Sequence, residues 1–356
     1  MRLTAEGLEA SRLLKKGREE LAERVTGRYF ERRPQWEKSC KHARQKCAED
    51  TRHHLDYLSE ALSLSRPAIF ADYVVWVAAL LARLNIPGEA LNTHLALLRD
   101  TIADQFATAG SSLAARDITM HYVDGALAKI SQAVPEVNCF LDGEGAFDIL
   151  ARDYLEDLLQ GNRRRAGQRI LAAVELGSSI HDIYLRVFQR VLHEVGRLWQ
   201  CNRIGVAQEH YCTASTQMIM SQFYPKIFST ERKGRRLVAA CVGGDLHEIG
   251  IRMVTDFFEM DGWDTFYLGA NVPVSGVLQQ IAERTPHVLA ISATLSSHLQ
   301  AVADLLAAVR ATANPPRLLV GGRPFNALPD LWKDIGADGC AGDAAEAVAV
   351  ADGWSV

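Results

Sequence analysis

Arg236-Leu-Val-Ala-Ala-Cys-Val-Gly-Gly-Asp-Leu-His-Glu-Ile-Gly250 decides the fold of the C-terminal third of this 356-residue chain. Residues 236–242 form a short apolar run closed by Gly243-Gly244-Asp245, which predicts a buried strand running into a loop. Helical periodicity then sets in from Ile249 to Met260. The pattern repeats downstream, with strands at 264–269, 287–292 and 318–320, helices at about 274–284 and 299–311, and an edge strand at 338–341. Strands alternating with helices imply a parallel sheet with helices on both faces. Open sheets of this kind bind ligands beyond the carboxyl ends of their strands.

Three short segments fall at those ends. Asp245-x-His247-x-x-Gly250 is followed after forty-one residues by Ser292-x-Thr294, and after twenty-six more by Gly321-Gly322. The series resembles the signature of cobalamin-binding domains that hold the cofactor with its lower base displaced. That resemblance implies that His247 replaces the base as lower ligand of cobalt, which needs a neutral imidazole nitrogen. Asp245 would take the other ring nitrogen and so fix tautomer and orientation. Gly250 would let the backbone approach the nucleotide tail, Ser292 and Thr294 would contact that tail, and Gly321-Gly322 would leave room for the displaced base. The plain alternative is a strand-to-helix loop with a surface histidine, which the spacing of three segments disfavours.

A second signal lies upstream, where Trp199 is followed after nine residues by Glu209-His210. It resembles the helical cap of cobalamin-dependent photoreceptors, in which such a stretch covers the upper face of the corrin. By that resemblance Trp199, Val206, Glu209 and His210 surround the adenosyl group of adenosylcobalamin. The plain alternative is a helix–helix turn anchored by a tryptophan. One departure matters: Gln200 stands where well-known members carry a histidine that binds cobalt after light has removed the adenosyl group. The upper position is thus left open among His193, His210 and water.

Hydrophobic residues at 48% and charged residues at 23% suit a globular protein. A net charge of −4 gives no general pull toward nucleic acid. Seven cysteines, at 40, 47, 139, 201, 212, 241 and 340, show no paired spacing, which disfavours a zinc site or a disulfide framework. No signal peptide is evident, and the most apolar stretch, 69–84, contains Asp72 and Arg83; the expected location is cytoplasmic. The expected fold class is multi-domain, α and α/β. An N-terminal all-helical domain spans 1–144, a four-helix-bundle cap 145–230, and a Rossmann-like, flavodoxin-like parallel-sheet domain 231–356, entered through the polar linker 229–236. Ser111-Ser-Leu-Ala-Ala and Asn138 to Gly145 read as linkers or turns.

The first block reads as long helices at about 4–25, 35–64, 66–84, 87–108 and 114–133, without a helix-turn-helix pattern. The Arg- and Lys-rich run from Arg12 to Arg52 is interleaved with Glu, as in a solvated helix face with i, i+4 pairs. Arg32-Arg-Pro-Gln-Trp-Glu, Asp50-Thr-Arg-His-His-Leu-Asp-Tyr-Leu and Phe70-Ala-Asp-Tyr-Val-Val-Trp together look similar to the N-terminal domain of photocobilins, light sensors that carry biliverdin beside cobalamin. A bilin needs an apolar slot with aromatic walls and polar donors. Arg52, His53, His54, Tyr73 and Trp76 are the candidates, with Cys40 or Cys47 as covalent attachment points. The alternative is a dimerisation domain whose aromatics are core.

The function these resemblances imply is a non-enzymatic light sensor that binds adenosylcobalamin between cap and sheet domain, with biliverdin as second chromophore. Its output would be a change of oligomer state or of contact with a separate effector protein, with no membrane and no favoured DNA partner. Two alternatives stand beside it. One is a corrinoid methyl carrier of a methyltransferase system, and the other is a cobalamin-dependent transcription regulator.

Overall fold

The computed structural model describes residues 4–37, 41–130 and 138–354. The chain divides into two compact units, Met1–Glu136 and Val137–Val356. The expected cap and sheet domains share the second unit.

The first unit is helical, with its main helices at Ala5–Lys16, Arg18–Arg32, Ala43–Ser63, Pro67–Arg83, Gly88–Thr108 and Leu113–Ile130. The helix expected over 4–25 is two helices, because Gly17 interrupts it and its N–H caps the first by bonding Leu13 O. Ser111-Ser112 lies between helices as expected, just after a turn at Ala109-Gly110, but Leu113 already begins the next helix. The charge-rich run does not work mainly through i, i+4 pairs. Arg18 instead forks onto Asp56 at 2.6 and 2.7 Å, and Arg52 reaches Glu19 at 2.6 Å, so these charges tie Arg18–Arg32 to Ala43–Ser63.

In the second unit, Ala146–Leu159, Arg163–Glu175, Ile180–Gln200 and Val206–Met220 form the four helices of the cap. The third has a π-helical turn over Ile183–Phe188 that turns Tyr184, Val187 and Phe188 into the cap core. Five parallel strands follow: β1 (Arg236–Cys241), β2 (Asp264–Gly269), β3 (Val288–Ser292), β4 (Arg317–Gly321) and β5 (Gly339–Ala341). Their order is β2-β1-β3-β4-β5, the flavodoxin-like order. The chain reverses direction across the sheet between β1 and β3, so the loops after these two strands flank the crevice where such sheets bind ligands.

The helix Ile249–Met260 joins cap to sheet. Met253 and Phe257 pack into the cap core, while Ile251 and Phe258 pack on the sheet. A helix covered on both sides has little solvent face left, which explains why its Asp256 and Glu259 are buried. Asp256 accepts from Tyr184 OH at 2.8 Å. Burial pushes its carboxyl up to about 6 despite that hydrogen bond and the nearby Arg252. Among the described residues no helix is long and apolar enough to cross a membrane.

Candidate corrinoid site

The loop after β1 is shaped by its neighbours. Gly244 takes φ +89° and donates to Asn271 Oδ1 at 2.7 Å, while Asn271 N donates to Asp245 O at 2.9 Å. This clasp turns the Asp245 side chain inward, where it is fully buried. Its Oδ1 accepts from His247 Nδ1 at 2.8 Å and from His247 N at 3.0 Å, and its Oδ2 accepts from Thr294 N at 2.5 Å. Burial resists ionisation of Asp245, but the donors from His247 and Thr294, with the His298 ring 3.7 Å away, outweigh it and hold the carboxyl far below the usual carboxylate range. The same hydrogen bond to Asp245 raises His247 above the ordinary imidazole value against the opposing effect of burial, and Glu209 of the cap adds to the rise. The His247 side chain is 56% exposed. With Nδ1 engaged, Nε2 is the nitrogen left to bind an outside group.

The other expected residues separate into those the loop needs and those it does not. Gly250 has no atom within 4 Å of where a Cβ would stand, so no packing inside the chain demands glycine there. Gly322 is different. Its φ is +108° and a Cβ would lie 2.1 Å from Ala293 O, so the fold itself requires it. Gly321 pairs with Ser292 across β3 and β4. Ser292 Oγ lies 3.4 Å from Cys241 Sγ, and Thr294 serves Asp245 through its backbone amide.

On the cap, Trp199 is half-buried against the cap core, whereas Val206 is exposed at the start of its helix. Glu209 is held by Thr213 Oγ1 at 3.0 Å and by His210 Nδ1 at 2.5 Å, with His210 itself exposed. The structure therefore brings Glu209 toward His247 but spends both its oxygens on its own helix. His193 packs beside Phe140, with ring centroids 5.3 Å apart. Gln200 ends its helix half-buried.

Residues missed by the sequence reading complete the site. Besides Asn271 and His298, Glu248 accepts from Gln217 Nε2 of the cap and from Tyr267 OH of β2, each at 3.0 Å. Glu248 adjoins His247, but nothing local marks it as the link between cap and sheet.

Of the expected bilin residues, His54, Tyr73 and Trp76 lie together, whereas Arg52 and His53 do not join them. Arg52 pairs with Glu19 and Glu23, and His53 is exposed. His54 is buried, with Nδ1 2.8 Å from Tyr73 OH, and Tyr73 stacks on Tyr57 at 3.8 Å and on Trp76 at 6.4 Å. Consecutive residues on a helix point about 100° apart, so Arg52, His53 and His54 cannot all face one slot. Burial pushes the Cys47 thiol up to about 11, which suits a packed cysteine and not an attachment point. Cys40 lies outside the described residues.

Comparison with known proteins assigns the second unit. Residues 235–351 match the B12 binding domain, and residues 150–224 match a second B12 binding domain family. These segments are cobalamin-binding domains. The chain is 26% identical over 194 residues to dimethylamine corrinoid protein 2 of Methanosarcina acetivorans, spanning 51% of this chain and 87% of that protein. It is 27% identical over 188 residues to monomethylamine corrinoid protein 1 of Methanosarcina mazei, spanning 50% of this chain and 85% of that one. The solved structure of the Methanosarcina barkeri monomethylamine corrinoid protein matches with a TM-score of 0.52 at 21% identity, over 58% of this chain and 98% of that one. At that identity the likeness speaks for the fold alone. The cobalamin-binding matches leave residues 4–130 outside them.

The relatives overturn the expectation of an adenosylcobalamin light sensor, because they are methylamine corrinoid proteins. Trp199 lies at the end of one helix, and Glu209 and His210 lie at the start of the next. Their spacing does not specify a bound group. The matches lend no support to biliverdin, which was expected in a unit that lies outside them.

Proposed function

We propose that this chain is a corrinoid methyl carrier that serves a separate methyltransferase and is not itself an enzyme. The observation that carries this reading is the Asp245–His247 hydrogen bond of 2.8 Å, in the loop after β1 where the sheet changes direction. Cobalt of the bound corrinoid would supply the site that holds a methyl group, in place of an adenosyl group. His247 would present Nε2 as the lower ligand, because Asp245 occupies Nδ1 and keeps the proton there. The space beside Gly250 would admit the nucleotide tail, with Ser292, Thr294, Gly321 and Gly322 lining its path. The cap, 145–230, would cover the opposite face through Trp199, Val206, Glu209 and His210, and the sheet domain, 231–356, would hold the tail. The Gln217–Glu248–Tyr267 chain would keep cap and sheet together while the face is covered.

The names of the relatives point to methylamines as the source of the methyl group. The test is direct. Full-length protein is loaded with cobalamin, reduced, and mixed with a methylamine-class methyltransferase and monomethylamine or dimethylamine. Retained cobalamin that becomes methylated, read from its visible spectrum, supports the reading. Cobalamin lost on desalting, or kept equally well by His247→Ala with the same axial signal, refutes it.

A further inference from the structure

Three helices of the first unit bring a thiol, an imidazole and two hydroxyls together in its interior. Cys47 of Ala43–Ser63 and His94 of Gly88–Thr108 are both buried, with Cys47 Sγ 3.8 Å from His94 Nδ1. The tautomer of His94 follows from what its other nitrogen meets. Thr51 stands one turn after Cys47 on the same helix face and donates its hydroxyl proton to Cys47 O at 2.7 Å. A hydroxyl has one proton, so Thr51 Oγ1 accepts from His94 Nε2–H at 3.0 Å. The lone pair of His94 is therefore on Nδ1 and faces the Cys47 thiol. Thr26 of Arg18–Arg32 completes the group. Its hydroxyl is buried without a hydrogen-bond partner and lies close enough to Cys47 to favour the thiolate. The neighbouring His54 is engaged elsewhere, its Nδ1 lying 2.8 Å from Tyr73 OH.

We infer that Cys47 and His94 form a binding site for a soft monovalent metal ion, copper(I), held between Sγ and Nδ1. Bonds of about 2.3 Å to sulfur and about 2.0 Å to nitrogen span the observed gap when bent, and about 4.3 Å when in line. Seating the ion thus moves the side chains by no more than about 0.5 Å. The Cys47 S–H bond breaks, a sulfur–copper bond forms, one proton leaves to water, and no oxidation state changes. Charge selects the ion. Burial pushes the lone thiol up to about 11, because a bare thiolate is costly in this interior. One positive charge cancels that of the thiolate, whereas a divalent ion would leave a net charge buried. The charges that reach Cys47 from outside, Asp50 and Arg44, are exposed and opposite in sign. Burial also keeps His94 neutral, as a ligand must be, and the thiolate gives the Thr26 hydroxyl the acceptor it lacks. Among the described residues no three of His, Cys, Asp and Glu gather as a metal site. Zinc asks for four ligands, whereas copper(I) favours thiolate and is satisfied by two. Cys47 lies one turn inside the start of its helix, where local opening lets an ion reach it.

The experiment titrates the metal-free, fully reduced full chain with copper(I) against a coloured copper(I) chelator, without oxygen. Wild type should hold one copper(I) tightly. Loss of a supporting residue costs about 10–100-fold in metal affinity, and loss of a direct ligand costs more. Thr51→Val, which frees the tautomer of His94, should therefore weaken binding about 10–100-fold, and Cys47→Ser and His94→Gln should each weaken it by at least about 100-fold. X-ray absorption at the copper edge, with one equivalent loaded on wild type, should show one sulfur and one imidazole nitrogen. That measurement needs no variant, so it decides the matter even where a substitution prevents folding. Wild type that holds no copper(I), a copper shell of sulfur alone, or an affinity that neither Cys47→Ser nor His94→Gln alters in folded protein overturns the inference.

Discussion

Asp245→Asn removes one negative charge and almost no volume, and it should disable the site in a way the geometry makes explicit. Oδ1 of Asp245 accepts twice from His247, and Oδ2 accepts from Thr294 N at 2.5 Å. An amide can accept on only one side. If its oxygen faces His247, its NH2 group is driven against the Thr294 N–H. If its oxygen faces Thr294, the NH2 group meets His247 and favours the tautomer with the proton on Nε2, the nitrogen proposed to bind cobalt. Either arrangement leaves a buried donor unsatisfied, at about 1–3 kcal/mol. Lost orientation of a metal ligand further costs about 10–100-fold in affinity. The pH dependence follows from the two shifts. The depressed carboxyl of Asp245 contributes stability that is present above about pH 3.9 and lost as pH falls through its folded value. The raised imidazole of His247 contributes stability present below about pH 6.5 and lost as pH rises through its folded value. The pair therefore helps the ligand-free protein most between about pH 4 and 6.5. Because His247 is more than half exposed, its share is discounted to about 1 kcal/mol. Equilibrium dialysis with hydroxocobalamin measures the affinity, and urea unfolding from pH 4 to 8 measures the stability. Affinity within twofold of wild type, together with an unchanged pH profile, would refute the assignment of Asp245.

Three further outcomes are expected. Gly250→Ala should leave stability unchanged or raise it by up to about 1 kcal/mol, since it sits in a helix with open space around it, yet weaken cobalamin binding; undiminished affinity by titration would show that the open space is not used. Gly322→Ala should instead destabilise the fold by at least about 2 kcal/mol in denaturant, from a strained φ and a clash with Ala293 O. Tyr184→Phe should cost about 1–2 kcal/mol by stripping the buried Asp256 of its donor across the cap–sheet contact, and an unfolding midpoint equal to wild type would contradict that. In the first unit, burial holds His94 down at about 4. Its stabilisation is full above about pH 6.5 and lost as pH falls through 4, a swing of about 3 kcal/mol that His94→Gln should flatten in acid unfolding of the full chain.

Much of the architecture was legible because parallel-sheet domains announce themselves locally. The strands and helices over 236–311 follow from apolar runs and periodicity, and the Asp245, Ser292 and Gly321 segments stand at strand ends as expected. In the first unit the helix at 4–25 was misjudged, because one glycine with ordinary flanking sequence decides where a helix stops. Among the expected bilin residues, His54, Tyr73 and Trp76 come together, while Arg52 and His53 face elsewhere for a plain reason. Neighbours in sequence do not share a helix face. The segment from Trp199 to His210 spans the end of one helix and the start of the next, and the light-sensor function expected from it is contradicted by the relatives, since spacing across a helix turn constrains shape more than it constrains a bound group.

By itself the sequence determined the parallel sheet and the Asp245–His247 pair, because both are short-range: a strand, a tight loop and the start of a helix lie within fifteen residues. Only the tertiary structure decided what surrounds them. Asn271 clasping the loop, Thr294 and His298 on Asp245, and Glu248 joining Gln217 to Tyr267 come together from strands and helices 19 to 53 residues apart. Such partners have no local signature, since a buried carboxylate recruits whichever donors the packed chain brings within reach.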